Sequence, residues 1–135
     1  RIANERMSNG EISIIGSAAG HAGKRKVTAE TVFAAFHEGD PLAIQIVADA
    51  INYLGAGLTS IVNILNPSRI IIGGGLSNQW DSYIQPAVNL MRKNAFGGMG
   101  DRINVGPTHL GSRSGAIGAI LQVSEMLYPS TLPSI

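Results

Sequence analysis

Arg69-Ile70-Ile71-Ile72-Gly73-Gly74-Gly75-Leu76-Ser77-Asn78 sets three consecutive isoleucines directly against three glycines. A run of β-branched residues reads as a strand buried on both faces, the kind found in parallel sheets. Helix-compatible sequence follows the glycines, with Asn78 and Asp81 as cap and third position. A strand that passes through a glycine turn into a helix leaves bare backbone at its carboxyl end, where open α/β sheets bind ligands. Glycine lets backbone approach a flat base or a phosphate without a Cβ clash, and it takes the positive φ that a sharp exit needs. The competing reading is a tight, inert turn between strand and helix.

Outward from this stretch, the pattern is α/β. Asp40-Pro41 starts a long helix over 41–65, because Asp is a preferred cap and Pro is tolerated at the first helical position. Ala43, Val47, Ala50, Ile51, Leu54, Leu58, Ile61, Val62 and Leu65 recur at spacings of three and four and mark its buried stripe. Gly55 and Gly57 lie inside it at ~1 kcal/mol each against alanine, which predicts close approach of another element or a ligand. Asn66-Pro67 turns the chain into a strand near 69–73. Beyond the glycines, Ile84, Ala87, Val88, Met91 and Ala95 form the next buried face, with Pro86 kinking that helix or marking its start.

Phe96-Gly97-Gly98-Met99-Gly100 reads as a flexible exit, and 102–107 as a second strand. Strand, helix, strand is a βαβ unit, so the strands should be parallel with a right-handed crossover. Its predicted core is Ile70, Ile71, Ile72, Ile103 and Val105 with Leu54, Leu58, Ile61 and Val62. A last helix over 112–127 carries Gly115, Ala116, Gly118 and Ala119 near its start, with Leu121, Met126 and Leu127 on its apolar face. Residues 129–135 read as a loose tail. Ahead of the long helix, residues 1–9 look like a helix ended by Asn9-Gly10. Thr28 caps a short helix with Val32, Phe33 and Phe36 on its apolar face, and Gly39 stops it.

The chain has 135 residues and starts at Arg1, within sequence that is already helical, so it is expected to be one domain and part of a longer protein. Charged residues make up 14%, well below the ~25% of ordinary domains. Surface this poor in charge suggests cover by more of the chain or by a second subunit. A net charge of +1 gives no electrostatic case for nucleic acid or membrane binding. With no cysteine there is neither a disulfide framework nor a cysteine-based metal site, and the cytoplasm is the expected compartment. No apolar run reaches the ~18 residues that span a bilayer, and no signal peptide is read, so a soluble protein is expected.

Chemistry-bearing groups are sparse. Gly20-His21-Ala22-Gly23-Lys24 departs from a phosphate-binding loop, with Ala18 where the first glycine belongs and Arg25 where the Ser/Thr belongs. Its basic run, Lys24-Arg25-Lys26, reads as solvated surface. His21, His37 and His109 have no partner at metal-ligand spacing. Asp40 reads as a helix cap before a general base, and Asp81 and Asp101 as a cap partner and a loop acid. The residues therefore offer a binding surface and no catalytic group.

Taken together, several runs resemble the C-terminal half of the ROK family (repressors, open reading frames and kinases) of the actin-like ATPase superfamily, and most of all its bacterial glucokinases. They are Arg1-Ile2-Ala3-Asn4-Glu5, Val27–Phe33 with Glu38-Gly39-Asp40, Tyr53-Leu54-Gly55, Leu65-Asn66-Pro67, Ile70–Ser77, Lys93-Asn94-Ala95-Phe96, and Leu110-Gly111 with Gly115–Ala119. The resemblance implies the helix-rich half of an actin-like (ribonuclease H-like) ATPase domain. In it Gly73, Gly74 and Gly75 would contact the adenosine of ATP by backbone, with Leu76, Ser77 and Asn78 at the rim.

It further implies ATP and Mg2+ as cofactors, a sugar as substrate, a homodimer, and transfer of the ATP γ-phosphoryl to a hexose hydroxyl. The phosphate loop, sugar-binding residues, catalytic aspartate and a structural zinc motif are implied to lie upstream of Arg1, with no zinc site within these residues. One departure is Ser112-Arg113-Ser114, where glucokinases carry Asn-Asp-Ala; it leaves the substrate open. The alternative is the effector-binding domain of a ROK repressor, which would carry an upstream helix-turn-helix. A dinucleotide-binding oxidoreductase is a third reading, but the Gly-x-Gly-x-x-Gly spacing and the ribose-binding acid are missing.

Overall fold

The computed structural model describes residues 1–16, 27–108 and 114–127. The elements are α1 (Ile2–Ser8), α2 (Ala29–His37), α3 (Pro41–Leu65), β1 (Arg69–Ile72), α4 (Gln85–Asn94), β2 (Asn104–Pro107) and α5 (Ser114–Leu127). Between β1 and α4 run a 3-10 segment (Gly75–Gln79) and a π-turn (Trp80–Ile84), and a further 3-10 segment, Phe96–Arg102, precedes β2. The phosphate-loop-like stretch, its basic run, His21, His109, Leu110-Gly111, Ser112-Arg113 and the 129–135 tail lie outside the described residues.

Local signals fix the helix starts. Thr28 closes a capping box with Thr31, each side chain bonding the other's backbone N–H. Gly39 ends α2 at φ +82°. Asp40 caps α3 by accepting from Ala43 N–H at 2.8 Å, with Pro41 in the first turn. Asn66 stops α3 in the left-handed region at φ 41°, one of the few residue types besides glycine that enters it readily.

Two buried clusters share α3 as their spine. Its first turns hold Leu42 and Ala43 against Ala3, Ile15 and Ala35. Its later turns hold Leu58 and Val62 against Ile84, Ala87, Val88 and Met91, with Ala95 and Ile103. By length and mean composition α3 is long and apolar enough to cross a membrane (25 residues, mean hydropathy 1.3 over its most apolar window). Gln45, Asp49 and Asn52 interrupt it, so it holds no unbroken apolar run of that length, and part of that window is buried in the fold. Of the two mid-helix glycines, only Gly55 meets a neighbour. A Cβ there would stand 2.9 Å from Leu90 Cβ and 3.2 Å from the Ala87 carbonyl, whereas nothing lies within 4 Å at Gly57.

β1 and β2 pair in parallel, Ile70 opposite Val105 and Ile72 opposite Pro107, which completes the expected βαβ unit. The second strand begins at Asn104, two residues later than expected, because Ile103 turns into the core. Burial on both faces is not observed. Ile70 and Ile72 pack on the α3–α4 core, while Ile71 between them is 63% exposed. Side chains alternate across a strand, and among the described residues nothing covers the second face. Ile61 and Leu65 of α3 are also exposed, as are Leu121, Met126 and Leu127 of α5, against the predicted core. No described residue of α5 is buried, so that helix does not pack the βαβ unit as expected.

The helix after the glycines also differs from expectation. Neither Asn78 nor Asp81 caps it; the regular turns begin only at Gln85, with Pro86 in the first turn. Proline has no N–H to bond back to residue 82, and Gln85 N–H instead reaches the Trp80 carbonyl in a π-type turn. The 96–100 exit is ordered by 3-10 turns, with Gly97 and Gly98 at φ +60° and +73° and Phe96 N–H donating to Asn63 Oδ1 at 2.9 Å.

Candidate functional site

The ladder between the strands stays closed up to the glycines, since Thr108 N–H donates to the Ile72 carbonyl at 2.9 Å. Gly73, Gly74 and Gly75 then lie exposed at the carboxyl end of β1. Gly74 takes φ +96° and ψ 178°, a conformation essentially confined to glycine. Where a Cβ would stand on Gly74 or Gly75 there is open space, with no heavy atom within 4 Å. The turn is held from inside: the Gly74 carbonyl accepts from Ser77 N–H at 3.1 Å and from Ser77 Oγ at 2.7 Å. Ser77 is therefore half-buried and committed to the turn, while Leu76 and Asn78 lie exposed on either side of it in sequence.

Those two residues line different clefts. Leu76 stands at an apolar cleft of about 360 Å³ formed by α1, α2 and α3, with Val32, Phe33, Val47, Ala50 and Tyr83 in its walls. Tyr83 meets Phe33 edge to face, ring centroids 5.7 Å apart, and burial pushes its hydroxyl pKa up. Asn78 stands at a polar cleft of about 350 Å³ with His37, Gln79, Trp80, Asp81 and Ser82. There Gln79 Oε1 accepts from Ser82 Oγ at 3.1 Å and contacts His37 Nε2 at 3.1 Å.

The six residues singled out from sequence, Gly73 to Asn78, thus form one continuous exposed turn. Phe33 and Tyr83, which give the neighbouring cleft its rings, were not among them. Phe33 was visible as the apolar face of α2, but Tyr83 carried no signal, because its position follows from the π-turn. His37 pairs with Gln79, 42 residues away. Among the described residues no three His, Asp, Glu or Cys side chains converge on a metal-sized site. Asp40 is buried under its cap bonds, and Asp81 and Asp101 are exposed.

Residues 9–126 match the family model described as ROK family. The chain belongs to the ROK family. Across 92 residues this ROK chain is 33% identical to a glucokinase of Halalkalibacterium halodurans, covering 68% of the chain and 28% of that protein. It is 33% identical over 101 residues to a beta-glucoside kinase of Klebsiella pneumoniae, covering 74% of the chain and 32% of the relative. In fold it is similar to a crystal structure of a ROK family transcriptional regulator, a homologue of the Escherichia coli Mlc protein. The TM-score is 0.62 at 23% identity, covering 77% of the chain and 25% of that structure. The ROK chain thus spans about a third or less of the relatives it matches.

Proposed function

We propose that this ROK chain is the nucleotide-binding part of an ATP-dependent sugar kinase of glucokinase type. The observation that carries the reading is the turn at Gly74, which presents bare backbone at the end of a parallel strand in a conformation that only glycine adopts readily. Relatives named as kinases of glucose and of beta-glucosides support the substrate class, a hexose or its glycoside.

In this reading Gly73, Gly74 and Gly75 approach the adenosine of ATP by backbone, and Leu76 and Asn78 form the rim. Ser77 holds the turn shut through the Gly74 carbonyl. The space above Gly74 and Gly75, which a Cβ would fill, fits a flat group laid against the chain. The nucleotide supplies the γ-phosphoryl group when bound. These residues supply orientation, which is a large share of what phosphoryl transfer asks of a protein. Mg2+ keeps several waters and is held through phosphates and one or two carboxylates; no residue here is assigned to it. The catalytic carboxylate, the sugar contacts and any zinc ligands are assigned to chain outside these residues. A homodimer in the cytoplasm completes the proposal.

Gly74→Val in the full-length protein is the test, read by calorimetry with ATP and with sugar separately. A β-branched side chain at φ +96° is strained and also blocks close approach. ATP affinity should fall by at least about tenfold, about 1.4 kcal/mol, because the side chain occupies the open space through which the nucleotide would approach the backbone, while sugar affinity holds. Unchanged ATP affinity would sink the assignment. The second reading, an effector domain of a repressor, is favoured by the likeness in fold to a ROK transcriptional regulator. Sugar binding without any ATP binding by the unaltered protein would support it.

A further inference from the structure

Two contacts join α2 to the irregular stretch that follows the glycine turn, and they fall in step. His37 Nε2 meets Gln79 Oε1 at 3.1 Å, and Phe33 meets Tyr83 edge to face with ring centroids 5.7 Å apart. Phe33 and His37 stand four residues apart on one face of α2, and Gln79 and Tyr83 stand four apart in the stretch they meet. We propose that His37 is a positioning residue: with Phe33 it braces the 79–83 stretch from α2 and so keeps the glycine turn in the form that accepts a nucleotide. The proposal rests on the nucleotide reading and deepens it.

The turn needs support from outside because its own structure is slight. Between the end of β1 and the first regular turn of α4 the chain runs through a 3-10 segment and a π-turn, and 3-10 hydrogen bonds are poorer in geometry than those of an α-helix. Gly73, Gly74, Gly75 and Leu76 are exposed. The bonds that shape the turn are local: Ser77 N–H and Oγ donate to the Gly74 carbonyl, and Ser82 Oγ donates to Gln79 Oε1. Gln79 is where this local network passes to another element, since its acceptor oxygen also takes the proton of His37 Nε2.

The other side of the brace is firm. α2 starts on the capping box at Thr28 and buries Phe33 and Ala35. At its end the Phe36 ring stands edge to face with the His37 ring, centroids 5.3 Å apart, which limits the directions the imidazole can take. Asp40, just beyond, is tied to Ser13 and Ile14. His37 itself is exposed and makes one bond to the stretch, so the brace shifts a population and does not hold up the fold. A single net hydrogen bond changes the ratio of held to released turn about fivefold, and a ligand that needs the held form binds more weakly as that form becomes rarer.

Hydrogen exchange and calorimetry on the full-length protein provide the test. His37→Leu removes the donor and should speed exchange of the Ser77 amide, which bonds the Gly74 carbonyl, by about fivefold. ATP affinity should fall about two- to fivefold, with sugar affinity and Tm unchanged. Gln79→Leu should act in the same direction, and the double variant His37→Leu/Gln79→Leu should lose no more than Gln79→Leu alone. His37→Gln, whose amide nitrogen stands near the place of Nε2, should restore both exchange and ATP affinity.

Unchanged ATP affinity in His37→Leu would overturn the proposal whatever the exchange rate; if Gly74→Val still loses ATP, the nucleotide reading stands without the brace. Equal losses in His37→Leu and His37→Gln would overturn it too, because the imidazole itself would then touch the ligand. So would a joint loss of ATP and sugar affinity with a lowered Tm, which marks a structural role alone. No ATP binding by the unaltered protein would remove the nucleotide reading and the proposal with it.

Discussion

The Asp40 carboxylate is 6% exposed and accepts from Ser13 Oγ at 3.0 Å, Ile14 N–H at 3.0 Å and Ala43 N–H at 2.8 Å. Burial by itself would push its pKa up, but the hydrogen bonds from Ile14, Ala43 and Ser13 outweigh it and hold the carboxyl below the ordinary carboxylate range. A pKa depressed on folding adds stability above the unfolded value of about 3.9, and that stability drains away as pH falls through the folded value. Asp40→Asn keeps a cap but turns an amide N–H₂ toward a site built of donors. It should cost about 1–3 kcal/mol at neutral pH, and urea unfolding should show the gap to the unaltered protein narrowing below about pH 4. A gap that does not change with pH would mean that packing, and not the charge, carries the effect. The cap was legible from Asp40-Pro41 alone, because capping needs only the side chain and the next three residues. The bonds to Ser13 and Ile14 were not legible, since they join segments 26 and 27 residues apart.

At the scale of elements, α3 and α4 meet where Gly55 leaves out a side chain. The two mid-helix glycines look alike in sequence and behave differently in the fold. Gly57→Ala enters open space and should stabilise by up to about 1 kcal/mol through helix propensity. Gly55→Ala gains the same propensity but drives a Cβ onto Leu90 and the Ala87 carbonyl, and overpacking of that kind costs about 1–3 kcal/mol. Thermal denaturation of the two variants side by side should move Tm in opposite directions for net losses at Gly55. A rise in both would mean that α4 can step away from α3. The ends of α2 and α3 followed from Thr28, Gly39, Asp40-Pro41 and Asn66, all short-range signals. The 3-10 and π segments over 75–84 did not, because cap-like Asn78 and Asp81 compete with Pro86, and proline's missing N–H decides where regular turns begin.

For the molecule as a whole, this 135-residue chain is expected to show no sugar phosphorylation on its own. In the proposed reading it offers one wall for the nucleotide, but no described carboxylate stands buried beside the glycine turn, and positioning both reactants supplies much of such catalysis. A coupled assay of ADP release with glucose, mannose and N-acetylated sugars checks this. Turnover that survives repurification and disappears in Gly74→Val would require a base among Asp40, Asp81 and Asp101. Ile61, Leu65 and Ile71, with Leu121, Met126 and Leu127 of α5, lie exposed although their spacing marks them as core. Periodicity reports which side of an element is apolar, not what stands opposite it. The sequence by itself determined the order of the main elements, the parallel βαβ unit, the caps at Thr28 and Asp40 and the glycine turn, because each depends on contacts within a few residues or on one strong chain-level rule. Tertiary structure alone decided which apolar face is covered, which glycine is a contact and that Phe33 and Tyr83 wall a cleft at Leu76. Those follow from distances between segments far apart along the chain, which no local pattern encodes.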